Sequence, residues 1–284
     1  MSALEADIAA IFAPLGGQIA VAARQVGHRA PRALLVAGTS TPTSQDAPVP
    51  ATTPPLDVAL NVDEIFPAAS LAALPIAIEL MRRVDMGQFD LAERIETADF
   101  PHADGSGVLG FLDPATRLTI GDLCTLMLIV SDNTAANILL DLVGMGEVNE
   151  TLNRLNLRHT RLARHFRDFE ARAAHRDNLT TAAETLSLME LIRGNALPGA
   201  RHIREALAAQ QSFRELAESW LPTEAKLTHK DSLLEDTIHD AGILIGPDGA
   251  GVYCILTTGQ ADIPAARAAI GRAVRALWDG WRLG

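Results

Sequence analysis

Ser70 stands where an irregular, polar approach gives way to a long apolar segment, a position that suits a nucleophile. The residues Phe66-Pro-Ala-Ala precede it, and Glu79 is the only charged residue from Leu71 to Leu80. This composition predicts a buried helix that begins at the serine. A hydroxyl there lies at the positive end of the helix dipole, which stabilises developing negative charge. Serine is also among the best N-cap residues, so a nucleophile and a cap are both open interpretations.

Two further polar stretches follow along the chain. Ser131–Asn133, with the sequence Ser-Asp-Asn, lies at the junction of two predicted helices, where helix capping is an alternative to function. His229–Ser232, with the sequence His-Lys-Asp-Ser, lies in a predicted strand, where a partly exposed strand of alternating charge is the alternative. Neither stretch, taken alone, shows whether its polar residues serve a catalytic or binding role or only stabilise the local structure.

Composition narrows the possible functions. The chain has 284 residues, of which 48% are apolar and 21% charged, as in ordinary globular proteins. A net charge of −11 without any basic run disfavours a nucleic-acid partner, because phosphate binding needs a basic patch. The histidines show no ligand spacing, so we expect neither a metal nor another cofactor. Cys124 and Cys254 each lie in an apolar run, so we expect buried free thiols.

The N-terminal segment bears on location. The pattern from Met1 to Pro14 predicts a short amphipathic helix. The segment lacks the basic region and the apolar region of a secretory signal. No apolar run reaches the ~18–20 residues that span a bilayer, so we expect no membrane partner. The expected location is cytoplasmic, with a secreted or periplasmic location as the alternative if a signal had been removed. We also expect a monomer.

The order of the predicted elements indicates an α+β fold with strands at both ends of the chain and helices between them. Strands are predicted at 17–26, 33–37, 226–232, 237–245 and 251–258, and a helix is predicted at 263–281. The Pro-, Ser- and Thr-rich segment 39–57 predicts a surface loop. A capping box is expected at Thr181, with Glu184 three residues later. Gly105–Gly110 fits G-x-G-x-x-G, but no strand precedes it, so a dinucleotide site is not expected.

In order, the polar stretches resemble the motifs of the penicillin-recognising serine enzymes, most closely the class A β-lactamases. That family carries S-x-x-K at a helix start, S-D-N between helices and K-T-G on a late strand. The corresponding segments here are Ser70–Ala73, Ser131–Asn133 and Lys230–Ser232. Stretches around them, such as Asn178-Leu-Thr-Thr and His239-Asp-Ala-Gly-Ile-Leu, also resemble the family, from about Gly17 to the end of the chain.

The resemblance implies a β-lactamase/DD-peptidase-like fold. Such a fold has a five-stranded antiparallel sheet flanked by helices, and a separate all-helical lobe. We expect residues 1–67 and 208–284 to form the α/β lobe and residues 68–207 to form the all-helical lobe.

The resemblance also implies acyl transfer on a small molecule. Ser70 would attack a β-lactam or a related amide or ester, and water would hydrolyse the acyl-enzyme. The backbone N–H groups of Ser70 and Leu233 would form the oxyanion hole. Ser131 would relay a proton to the leaving nitrogen, and Lys230 would hold Ser131 and the substrate carboxylate. Asn133 would bind the side-chain amide of the substrate.

The chain departs from the family at the residues that activate the serine and bind the substrate. Ala73 stands where the family has its lysine, and loss of a general base costs about 10²–10⁴ in rate. Asp231 replaces the threonine of K-T-G, and its carboxylate would repel a substrate carboxylate. Ser232 replaces the glycine, and its side chain would narrow the strand edge on which ligands pack.

The segment Arg161–Asn178, where the family has its catalytic loop, contains no E-x-x-L-N motif. Glu170 is the candidate base for deacylation, with Asp168 second, and a plain loop carboxylate is the alternative role for Glu170. The expected function is therefore a serine hydrolase impaired by Ala73 and Asp231. The alternatives are a degenerate small-molecule or peptide binding module, and an esterase or peptidase with a non-penicillin substrate.

Overall fold

The structure is a computed structural model, and it describes residues 2–27, 55–113, 115–194, 197–212 and 217–284. The helices are α1 Ala3–Phe12, α2 Ala73–Asp85, α3 Ile120–Ile129, α4 Asn133–Val143, α5 Met145–Arg154, α6 Phe169–Ala173, α7 Ala182–Arg193, α8 Ala200–Ala208 and α9 Ile263–Trp281. The strands are β1 Gln18–Val26, β2 Val58–Leu60, β3 Phe66–Pro67, β4 Arg94–Glu96, β5 Arg117–Thr119, β6 Leu179–Thr180, β7 Lys226–Leu233, β8 Ile238–Ile245 and β9 Ala250–Thr258.

Five strands form one antiparallel sheet in the order β2-β1-β9-β8-β7. This confirms the predicted α+β class and the five-stranded sheet. The predicted strand at 33–37 and most of the predicted loop at 39–57 lie outside the described residues. The fifth strand of the described sheet is β2, which the sequence analysis did not identify. Strand β7, which carries Lys230–Ser232, lies at the edge of the sheet opposite β2.

Side chains of β9 alternate between two hydrophobic clusters. Cys254 and Leu256 belong to the cluster that includes helices α2, α3, α4 and α7. Tyr253 and Ile255 belong to the cluster on the other face, formed with α1 and α9. Because successive side chains of a strand point to opposite faces, one sheet supports both layers. The predicted lobe boundaries at 67/68 and 207/208 stay predictions.

Threonine side chains cap the starts of α3 and α7. Thr119 and Asp122 form a complete capping box at α3. At α7, the Thr181 hydroxyl accepts the Glu184 N–H at 3.2 Å, but the Glu184 carboxylate turns away and accepts the backbone N–H groups of 158–160. Only half of the expected capping box is therefore present, because the Glu184 carboxylate binds the loop before α7 and not the backbone N–H of Thr181.

The described ranges contain no helix that is both long enough and apolar enough to cross a bilayer. Within the same ranges, no three or more His, Cys, Asp or Glu side chains form a group that could hold a metal ion. Cys124 and Cys254 are buried, free thiols. Burial raises the pKa of Cys124 to about 12, so the thiol form persists at neutral pH.

Candidate active site

Ser70 lies in a tight turn at the start of α2. A 3₁₀ turn covers Ala69–Ala72, and α2 begins at Ala73. Ala69 has a φ of 45°, in the left-handed region that residues other than glycine seldom adopt. Neither the turn nor α2 has a side-chain capping hydrogen bond, so the interpretation of Ser70 as a helix cap is wrong. The serine side chain is half-buried.

His239 fixes the backbone that leads to Ser70. Its Nε2 lies 2.7 Å from the Pro67 carbonyl oxygen, and its Nδ1 accepts the Thr257 N–H at 3.1 Å. These contacts require the neutral imidazole with the proton on Nε2. Burial lowers the pKa of His239 to about 4, an effect only partly offset by the Pro67 carbonyl. His239 was not among the predicted site residues.

The His239 contacts predict acid sensitivity. The unfolded state binds more protons than the folded state between the unfolded pKa, about 6.5, and the folded pKa. The stability that neutral His239 contributes is therefore fully present above about pH 6.5 and is lost as the pH falls toward the folded pKa. A folded pKa of about 4 amounts to a loss of about 3 kcal/mol near pH 4. Denaturant unfolding from pH 7.5 to 4 should show this slope in the wild type and lose it in His239→Gln; equal slopes would contradict the prediction.

Lys230 connects the edge strand to the Ser-Asp-Asn segment. Its Nζ donates hydrogen bonds to the Ser131 hydroxyl and to the Asp231 carbonyl oxygen, the latter at 3.0 Å. Lys230 is completely buried, and Ser131 is held at a φ of 53°. Burial lowers the pKa of Lys230, although the Asp231 carboxylate acts in the opposite direction. The structure thus brings together two predicted site residues that are 99 positions apart.

Ser232 contacts the backbone of Ser70. The Ser70 N–H donates to the Ser232 Oγ at 2.8 Å. This N–H is one of the two groups expected to form an oxyanion hole, and it is already bonded to a side chain of the protein. Leu233, which carries the other expected donor, ends β7 and pairs with Ile238. A side chain at the glycine position of K-T-G therefore fills space beside the serine.

Asp231 is buried beside Lys230. Its Oδ1 accepts a hydrogen bond from the Gln210 Nε2 at 2.6 Å and lies 3.5 Å from the Lys230 Nζ. Burial raises the pKa of Asp231, and the Lys230 ammonium opposes part of that rise. Gln210, at 2% exposure, was not a predicted site residue. Its role depends on where the chain after α8 meets β7, which no local pattern specifies.

A glycine-rich loop packs on the Ser-Asp-Asn segment. Asp132 caps α4 through the Ala135 N–H and also accepts the N–H groups of Val108 and Leu109 at 2.7 and 2.8 Å. A Cβ on Gly107 would lie 2.3 Å from the Asp132 carboxylate, so only glycine fits there. The Asn133 Nδ2 donates to a backbone carbonyl of the same loop at 2.8 Å. This explains the literal G-x-G-x-x-G pattern without a nucleotide.

The structure does not bring Glu170 into the cluster through any hydrogen bond. Glu170 lies on α6 with an exposed side chain, and its carboxylate has no hydrogen bond or ion pair within the described part of the chain. Asp168 caps α6 by accepting the Ala171 N–H at 2.9 Å. Phe166 is buried, and the Asn137 side chain bonds both its N–H and its carbonyl. The role of Glu170 in deacylation stays a prediction.

A model of the Beta-lactamase enzyme family matches residues 3–281 of the chain. The chain belongs to this family. Its membership confirms the resemblance read from the three motif segments.

Individual relatives agree with the family assignment. The chain is 25% identical to the Beta-lactamase regulatory protein BlaB of Streptomyces cacaoi, over 80% of this chain and 89% of that protein. It is 29% identical to a Beta-lactamase of Streptomyces albus G, over 74% of this chain and 70% of that protein. The crystal structure of a beta-lactamase from Sphaerobacter thermophilus superposes with a TM-score of 0.77 at 28% identity, covering 99% of this chain and 97% of that chain.

Proposed function

We propose that this protein is a β-lactamase-family serine hydrolase with weakened chemistry. Ser70 is the nucleophile, and the ligand is a small cyclic amide or a related amide or ester. Ser131 and Lys230 form the proton relay, and Asn133 binds a polar group of the ligand. In this proposal the deacylating base is Glu170, which would have to reach the acyl group through a water molecule.

The observation that carries the proposal is the meeting of three segments distant in sequence. Lys230 donates to Ser131, and the Ser70 N–H donates to Ser232 on the same strand. These contacts bring the backbone of Ser70, the buried Lys230 ammonium and the Ser131 hydroxyl to the same edge strand, which supports a shared site. Such a grouping supports acyl transfer, because the nucleophile that attacks the carbonyl and the donor that protonates the leaving group must act on the same amide or ester.

Two features weaken the chemistry. Ala73, which is 1% exposed, offers a methyl group where a base would stand one turn after Ser70. General-base catalysis contributes about 10²–10⁴ in rate, so we expect acylation to be slower by that factor. The Ser70 N–H must also exchange Ser232 for the oxyanion before it can stabilise it. An oxyanion donor contributes about 10²–10³ in rate.

The occupied Ser70 N–H favours a second candidate, a ligand-binding protein that does not complete acyl transfer. The name of the Streptomyces cacaoi relative assigns that protein a regulatory role. A protein that binds and retains a small molecule is better suited to regulation than a protein that hydrolyses the molecule rapidly. In this case the cleft would act as a receptor site.

Intact-mass measurement separates the two candidates. The protein is incubated with a chromogenic cephalosporin and, separately, with p-nitrophenyl acetate, each in large excess. The hydrolase proposal expects a slowly formed adduct of the acyl group, absent in Ser70→Ala. A folded wild-type protein that shows neither an adduct nor release of the chromophore that depends on Ser70 would contradict it and leave the binding candidate. An adduct that persists in Ser70→Ala would show that another residue reacts.

A further inference from the structure

The ammonium of Lys230 has no donor left for a ligand. An ammonium carries three N–H groups. Two donate to the Ser131 hydroxyl and the Asp231 carbonyl oxygen, and the Asp231 carboxylate takes up the third at 3.5 Å. Lys230 has no exposed surface, so an incoming group would first have to displace one of these partners.

The charges at this edge of the sheet also cancel. Paired as an ammonium and a carboxylate, Lys230 and Asp231 carry no net charge. On the neighbouring strand, the Asp240 carboxylate lies 2.7 Å from the His229 Nδ1 and compensates the imidazolium in the same way. Arg167, beyond Asn133, is paired with the Asp104 carboxylate at 2.6 Å. These cations therefore offer little attraction to an anionic ligand.

The Asp231 carboxylate is itself held in place. Gln210 donates to its Oδ1 at 2.6 Å, and Asp231 is 1% exposed. The carboxylate therefore cannot swing into solvent when a ligand enters. An anionic group placed against Lys230 would meet this fixed negative charge at close range, where like charges repel strongly in a buried site.

We infer that the proposed site selects a ligand that is uncharged where it lies beside the Lys230–Asp231 pair, and that Asp231 determines this selection. The ligand class is a neutral cyclic amide or ester without a carboxylate. The inference rests on the proposed ligand cleft, which both candidate functions share, and not on turnover.

The test compares two probes that differ in charge and by one methyl group, benzylpenicillin and its methyl ester. Equilibrium binding is measured by calorimetry in a Ser70→Ala background, which removes acylation from the readout. The Ser70→Ala protein should bind the ester at least tenfold more tightly than the acid. Adding Asp231→Asn, which keeps an acceptor for Gln210, should shift the preference about tenfold toward the acid. Asp7→Asn, an exposed α1 residue, gives the same change in net charge as a control and should leave the preference unaltered.

The outcomes separate this inference from the proposed function. A Ser70→Ala protein that prefers the acid would overturn the inference and leave the cleft intact. An unchanged preference in a folded Asp231→Asn protein would exclude Asp231 as the determinant. If neither probe binds, the cleft is not a ligand site, and both the proposed function and this inference are overturned. The comparison of probes in the Ser70→Ala protein holds even if Asp231→Asn does not fold.

Discussion

A chain carrying Ala73→Lys together with Ser232→Gly should acylate Ser70 at least about 10² times faster than the wild type. Ala73 begins α2 three residues after Ser70, which is one turn in the 3₁₀ geometry that leads into the helix. A lysine amine there could accept the serine proton, which a methyl group cannot. Ser232→Gly removes the hydroxyl that now accepts the Ser70 N–H and frees that donor for the oxyanion.

The measurement is the rate of adduct formation with p-nitrophenyl acetate, followed by intact mass. This uncharged probe keeps the result independent of Asp231. Ala73→Met with Ser232→Gly is the matched control, because methionine fills similar space without a base, and it should show only the gain from the freed N–H. Adding Ser70→Ala should abolish the adduct. A folded double variant no faster than the wild type would contradict the assignment of Ser70 as a dormant nucleophile.

Much of the fold follows from local pattern because apolar periodicity and turn residues act over short distances. Helix α9 has the predicted bounds, and β8 and β9 begin within one residue of the predicted positions and end at them. Strand β2 was not identified, since three residues are too few to establish a period. The helix predicted to begin at Ser70 begins instead at Ala73, after a 3₁₀ turn held by long-range contacts.

The candidate site could also be predicted only in part. The resemblance to the family's motifs implied the contact between Ser131 and Lys230, and the structure brings the two residues together. The partners Gln210 and His239 could not be predicted. The position of Gln210 depends on how the chain after α8 packs on β7, and that of His239 depends on how β8 packs against the segment before Ser70. The hydrogen bond from the Ser70 N–H to Ser232 depends on the close placement of two segments that are distant in the chain, which local sequence patterns do not specify. The resemblance therefore indicated the chemistry, and only the packing showed which donors are already occupied.

Asp240→Ala should destabilise the protein by about 3–5 kcal/mol, the cost typical of removing one partner from a buried ion pair. Asp240 is fully buried between two partners. Its Oδ1 lies 2.7 Å from the His229 Nδ1, and its Oδ2 accepts the Tyr253 hydroxyl at 2.6 Å. Both partners are buried too, so the variant would leave two polar groups without hydrogen bonds. Denaturant unfolding at pH 6 would measure the loss, and Asp7→Ala, on an exposed face of α1, is the control for charge.

The pH dependence of the same network gives a sharper test. Burial alone would lower the pKa of His229, but the charge and hydrogen bond of Asp240 outweigh it, and the pKa is raised. The stability from this pair is therefore complete below the unfolded pKa of about 6.5 and is lost as the pH rises through the folded pKa. Asp240→Asn keeps an acceptor for Tyr253 but removes the charge, so it should cost less than Asp240→Ala and abolish this dependence. A variant as stable as the wild type at pH 6 would show that the pair of His229 and Asp240 contributes no net stability.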